Sequence, residues 1–326
     1  MRARVACGVL RARRGPSLVA AVAGVLAGSV ITTGSLRAQT PAPSGASSSG
    51  TAAATTDTAA LRRALDALAD PHRGVVGYAV RDLDAGWEIS RRGDEPFPTA
   101  SLIKVPVLVT VFDLVRQGRL SLDDRLTVLP IDVVPGAGVL QHLHAGLEIT
   151  VRDAAWLMTT ISDNTATNLL LDRIIIRRVW QKMESLGLPR TKVHSKTFLR
   201  ESSVAMDSSV KYGLGVTTPR EMAQLFALLA DGRAVSPAAD SAMLDILAAN
   251  EDGQLLQRHV TGVRAPHKTG ATDQVRTECT LWHFRSRVVA CVLTRENADT
   301  RWIIDSEPQV LMARLGEVIA NVFPRR

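Results

Sequence analysis

His267–Thr294 reads HKTGATDQVRTECTLWHFRSRVVACVLT. The stretch divides into three β-rich runs, His267–Thr272, Val275–Phe284 and Val288–Thr294, with Arg285-Ser286-Arg287 as the last turn. Far upstream, Val75–Val80 alternates, Asp82-Leu83-Asp84-Ala85-Gly86 turns, and Trp87–Ser90 returns as a second strand. A lone hairpin is marginal in water, so the two β sections must meet in one sheet. Between them, roughly residues 100–250 carry helical periodicity, as in Val105–Gln117, Val151–Met158, Thr165–Val179 and Pro219–Leu229. Ala59–Ala69, with Leu61, Leu65 and Leu68 on one face, and Pro308–Val322 are helices at the two ends. This order predicts an α+β fold: a five-stranded antiparallel sheet flanked by the terminal helices, with an all-helical subdomain inserted after the second strand. One domain spans residues 59–326, with 59–98 and 264–326 forming the sheet part and 99–263 the helical part.

The chain before this domain differs in kind. Residues 1–38 hold six arginines and no carboxylate, followed by the uncharged small-residue run Ser17–Gly34 and a small-residue exit at Leu36–Ala38. This is the order of an export signal, so the mature protein is expected in the periplasm or secreted, without a stable membrane span. Residues 39–58, rich in Pro, Ser, Ala and Thr, read as a disordered linker. The formal charge of +7 falls to +1 once those six arginines are set aside, which removes the electrostatic case for a nucleic-acid partner. A hydrophobic content of 46% with 22% charged residues is that of an ordinary globular protein. Apart from Cys7 in the leader, the cysteines are Cys279 and Cys291, nearly opposite one another on adjacent strands. They are either a bridge formed in an oxidising compartment or two small buried hydrophobes.

Three short motifs carry the chemistry. In Ser101-Leu102-Ile103-Lys104, ahead of a helical run, residues three apart share a face, so Lys104 reaches back to the Ser101 hydroxyl. A serine hydroxyl is a weak nucleophile that needs an adjacent base, and a lysine serves once burial or a neighbouring cation lowers its pKa. In a first helical turn the Ser101 N–H is unsatisfied and the dipole favours negative charge. Ser162-Asp163-Asn164 interrupts two apolar helical stretches; alone it reads as an N-cap. Lys268-Thr269-Gly270 opens the first of the three late strands, and Gly270 admits a ligand or another chain segment close to the backbone.

In this order the three motifs form a known signature, and over about residues 60–323 the chain resembles the class A β-lactamases and penicillin-binding proteins. Ile149-Thr150-Val151-Arg152, the run Ser162–Leu171 and Thr217-Thr218-Pro219 fit the same resemblance. The resemblance implies a serine hydrolase with the β-lactamase fold. Ser101 attacks the carbonyl to form an acyl-enzyme, Lys104 accepts its proton, and Ser162 relays a proton to the departing nitrogen. Asn164 bonds the substrate's side-chain amide. Lys268 and Thr269, within the Lys268–Gly270 motif, hold the substrate carboxylate, and Arg276 adds positive charge there. The N–H groups of Ser101 and Ala271 form an oxyanion hole, worth roughly 3 kcal/mol per donor. The substrate implied is a small molecule, a β-lactam or a D-Ala-D-Ala-like peptide, handled by a monomer without metal or cofactor.

One family feature is missing. Class A enzymes clear the acyl-enzyme with a loop glutamate in a Glu-x-x-Leu-Asn pattern, which does not occur here. Glu201 is the one glutamate of the corresponding Thr191–Tyr212 region and the candidate for that role, with Ala205 where the Asn would stand. Without a base to activate water, acylation proceeds while hydrolysis stalls. The expected function is therefore β-lactam hydrolysis through Ser101, the alternative a penicillin-binding, D,D-peptidase-like or esterase-like acyl transferase with slow deacylation. His142-Leu143-His144 lacks the further ligands of a metal site, and Pro135-Gly136-Ala137-Gly138 is a turn rather than a phosphate loop.

Overall fold

The structure, a computed structural model, describes residues 56–325. The expected export signal and nearly all of the expected linker lie outside the described residues. Asp57 already caps the first helix, its carboxylate accepting from Ala60 N at 2.9 Å, so regular structure starts just inside the predicted linker.

The chain runs through α1 (Thr58–Ala69), β1 (Val75–Asp82), β2 (Trp87–Arg91), the short β3 (Phe97–Pro98), a 3-10 turn at Ala100–Ile103 and α2 (Lys104–Arg116). Then come β4 (Arg125–Thr127), β5 (Glu148–Thr150), α3 (Val151–Thr160), α4 (Asn164–Ile174), α5 (Ile176–Ser185), β6 (Lys192–Val193), α6 (Met206–Tyr212), β7 (Gly215–Thr217), α7 (Pro219–Ala230) and α8 (Pro237–Ala248). The last elements are β8 (His267–Thr272), β9 (Val275–His283), β10 (Arg287–Arg295) and α9 (Glu307–Asn321). The main sheet has five strands in the order β2-β1-β10-β9-β8, every pair antiparallel. The early hairpin and the late meander therefore meet where β1 pairs with β10, leaving β8 at an edge.

The central strands β1 and β10 are covered on both faces and are the most apolar of the five. Along β10, Val288, Ala290 and Val292 pack with Leu61 and Leu65 of α1 and Met312, Leu315 and Ile319 of α9. The alternate residues Val289, Cys291 and Leu293 join a second core with the helical block. α7 belongs to that second core through Met222, Ala223 and Phe226, so the helical segment shares its core with one face of the sheet. Cys279 and Cys291 stand directly opposite across β9 and β10, and the structure bonds them as a disulfide, deciding between the two sequence readings.

Three features depart from the sequence reading. Thr165–Val179 is two helices, because Ile175, at φ +69°, breaks the chain between α4 and α5. The apolar run Ile174-Ile175-Ile176 contains no glycine or proline to announce that break. Two small sheets, β3-β7-β6 and β4-β5, also escape the sequence reading, since strands of two or three residues carry no usable period. Among the described residues, no helix is long and apolar enough to cross a membrane.

Candidate active site

Ser101 is set by a strained, tightly packed turn. Ala100 has φ +45°, a costly value for a residue with a side chain. Thr277 Oγ1 donates to Thr99 O at 2.8 Å, tying the turn to β9. A Cβ on Gly270 would fall 2.5 Å from Thr99 O and 2.8 Å from Leu102 N. Only a glycine at that point of β8 lets the strand lie against the Ser101 turn. The close approach expected at Gly270 is thus made by the chain itself.

Lys104 begins α2 and is 1% exposed. Its Nζ donates to Ser162 O at 2.6 Å, Ser162 Oγ at 3.1 Å and Asn164 Oδ1 at 2.9 Å. Those three bonds fill the capacity of an ammonium, and Ser101 Oγ is not among its partners. Burial holds the Lys104 ammonium well below its ordinary pKa, the Lys268 charge pushes it further down, and Asp163 opposes both. Lys268, equally buried, donates to Thr269 O at 2.9 Å. Burial brings its pKa down to about 8, against the upward pull of Asp252 and Glu278.

The Ser162 motif divides its labour. Ser162 joins α3 to α4 at φ +59°. Asp163 is the buried N-cap of α4, accepting from Ala166 N at 2.9 Å. Its other oxygen accepts from Val139 N at 2.7 Å and Leu140 N at 2.9 Å, clamping the 135–140 loop over the site. Asn164 accepts from Lys104 and donates to Pro135 O at 3.0 Å. The side-chain amide that the resemblance assigned to substrate is thereby engaged at both ends within the protein.

Ser101, Ser162, Asn164, Thr269, Gly270 and Ala271 line one cleft of about 880 Å³, with Lys104 and Lys268 buried in its walls. Two sequence candidates are not brought there. Glu201 is exposed on the Arg200–Ser202 turn and does not line the cleft. Arg276 is 2% exposed and spends its guanidinium on the carbonyls of Thr272, Val275 and Arg301, beneath the ring of Trp302 at 4.6 Å.

Over residues 60–323 the sequence matches the β-lactamase enzyme family. The chain belongs to that family. Beta-lactamase L2 of Stenotrophomonas maltophilia is 38% identical over 122 residues, 37% of this chain and 40% of that protein. A β-lactamase of Rhodobacter capsulatus is 34% identical over 119 residues, 36% of this chain and 40% of that protein. The chain thus matches about 40% of the length of these curated relatives. The crystal structure of a β-lactamase from Sphaerobacter thermophilus aligns with TM-score 0.72 and 28% identity, over 81% of this chain and 97% of that one. A PBP-A mutant, solved as an acyl-enzyme complex with penicillin G, aligns with TM-score 0.72 and 27% identity, over 81% and 96% of the two chains. An ancestral class A β-lactamase gives TM-score 0.70 and 27% identity, over 81% and 100%. The expected α+β architecture is therefore that of the class A β-lactamase fold.

Several cleft residues of this β-lactamase family member carried no sequence signal. Thr197 lines the cleft, its backbone held on both sides by Asn168, which accepts from Thr197 N at 2.7 Å and donates to Thr197 O at 3.1 Å. The Thr197 hydroxyl is buried without a hydrogen-bond partner among the described residues. Phe198 follows at φ +60°, exposed at the cleft mouth. Asp252 also lines the cleft and accepts from Thr269 Oγ1 at 2.7 Å. Asn168 stood within the family-like run Ser162–Leu171; the others became visible only through long-range packing.

Proposed function

We propose that this chain is a serine β-lactamase of class A type that works through an acyl-enzyme on Ser101 and clears that intermediate slowly. The observation that carries the reading is a lysine buried beside a second lysine in the wall of the cleft that exposes the serine. Neutral Lys104 takes the proton of Ser101 Oγ as that oxygen bonds to the lactam carbonyl carbon. The C–N bond then breaks, and Ser162, already bonded to Lys104 Nζ, passes the proton to the departing nitrogen. Ser101 and Ala271 front the same cleft, so their N–H groups are the candidates for stabilising the oxyanion. Water then cleaves the ester and frees Ser101.

Slow clearance follows from where the carboxylates lie. Glu201 lies outside the cleft, and Asp252, the one carboxylate lining it among the described residues, is bonded to Thr269. This favours a second reading, a penicillin-binding, D,D-peptidase-like or esterase-like acyl transferase in which the ester persists. Time-resolved intact mass spectrometry with benzylpenicillin separates the two. The proposal expects an adduct of one penicilloyl group that forms quickly and decays with continued turnover, absent in Ser101→Ala. An adduct that never decays selects the second reading, and no adduct at all rejects both. Glu201→Gln is expected to leave the decay rate unchanged within about twofold, the range of a surface substitution.

A further inference from the structure

The end of the cleft that the family resemblance reserves for a substrate carboxylate already contains a carboxylate of the chain. Thr269 Oγ1 has a single proton, and it goes to Asp252 Oδ2 at 2.7 Å. Lys268 donates to the Thr269 carbonyl and is buried. The Arg276 guanidinium serves the carbonyls of Thr272, Val275 and Arg301 and is roofed by Trp302, whose indole donates to Asp273 at 2.8 Å. Each side chain assigned to a substrate anion thus makes at least one bond inside the protein, the Thr269 hydroxyl spends its one proton on Asp252, and Asp252 is the carboxylate that lines the cleft at this end. The titratable groups around it are Lys268, Arg276, His267, whose Nε2 lies 3.1 Å from Asp252 O, and Glu278, whose pKa burial raises to about 7, all buried, with Asp273 beside Trp302.

We propose that Asp252 is a specificity-determining residue that fills the anion position of the cleft with its own carboxylate and so favours substrates bearing a neutral or hydrogen-bond-donating group there over those bearing a free carboxylate. A substrate carboxylate must displace Asp252 from Thr269 and then sit beside it, a like-charge contact that disfavours the wrong partner. An ester, amide or hydroxyl meets no such repulsion, and a donor can bond Asp252 directly. The substrate class indicated is an acyl compound whose carboxylate end is masked as an amide or ester. This inference rests on Ser101 being the acylated residue.

Benzylpenicillin and its methyl ester differ only in the masked group, so their ratio reads the effect of Asp252. At about pH 6, Lys268, with its pKa of about 8, stays charged, and the second-order rate of Ser101 acylation is compared in wild type and Asp252→Asn. The isosteric substitution is expected to raise the rate of the free acid about tenfold relative to the ester. A ratio that moves less than twofold overturns the proposal. Calorimetric binding of the same compounds to Ser101→Ala, with and without Asp252→Asn, repeats the comparison without chemistry. A ratio that shifts there while Ser101 takes no acyl group sustains the role of Asp252 and rejects the proposed reaction. A ratio that stays fixed, or no binding of either compound, rejects the role of Asp252 even where Ser101 acylates.

Discussion

Lys104 is costly to bury and useful for the same reason. Excluded from water and set near the Lys268 charge, it gives up its proton far more readily than a surface lysine. What partners it has are oxygens of Ser162 and Asn164, which hold the nitrogen in place in either protonation state. Lys104→Ala is expected to slow acylation of Ser101 by about 100- to 10,000-fold, the usual worth of a general base. Lys104→Arg is expected to rescue nothing, since a guanidinium does not deprotonate. Stopped-flow acylation with nitrocefin measures both, and an arginine variant retaining more than a tenth of the wild-type rate would refute the assignment. The Ser101–Lys104 relation was read from helical spacing; the two lie on the 3-10 turn and at the start of α2, and the bonds of Lys104 go to Ser162 and Asn164. The placing of Asn164 was legible only by resemblance, and its bond to Lys104 was not, because nothing local links residues so far apart. Glu201 misled for the converse reason: proximity along the loop says nothing of which side chain turns inward.

At the scale of elements, the sheet was the clearest part of the sequence, since turn residues stand out between its β-rich runs and the central strands β1 and β10 are mostly apolar. Helix boundaries were less so, and Ile175 shows why. A β-branched residue at φ +69° and ψ +124° lies where glycine is comfortable and other residues are strained. Ile175 is also 53% exposed, so its side chain repays little of that strain by burial. α4 is fixed near its start by the bonds of Asn164 and Asn168 and ends at Ile174, and α5 starts afresh beyond Ile175 to bury Ile176, Val179 and Met183. Tertiary contacts, not local preference, impose the break. Ile175→Gly is therefore expected to stabilise the protein by about 1 kcal/mol, despite the greater freedom glycine gives the unfolded chain. Urea unfolding reads this as a higher midpoint at unchanged slope, and a lower midpoint would show that the backbone strain is not what limits this junction.

Taken whole, the molecule builds its site by closing a helical block onto the edge strand of a sheet. Lys104 comes from the first helix of the block and Lys268 from β8, so their proximity is a product of the complete fold. No reading of either motif alone contains it. The coupling has a definite sign: a positive neighbour destabilises the ammonium, so charged Lys268 lowers the pKa of Lys104, while Asp163 raises it. In the proposed mechanism acylation needs neutral Lys104 and therefore falls on the acid side as Lys104 gains its proton. Lys268→Met keeps the length of the side chain and deletes its charge. Lys104 then holds its proton to higher pH, so the acid limb of the acylation profile is expected to move upward. The wild-type profile should also bend near pH 8, where Lys268 loses its charge, and that bend should vanish in Lys268→Met. The direction of the acid limb is the decisive readout, because a mere loss of substrate affinity would lower the rate at every pH and leave the limb in place. A limb that stays fixed would mean that the two lysines titrate independently and that burial alone tunes the base, and a limb that moves downward would refute the sign of the coupling.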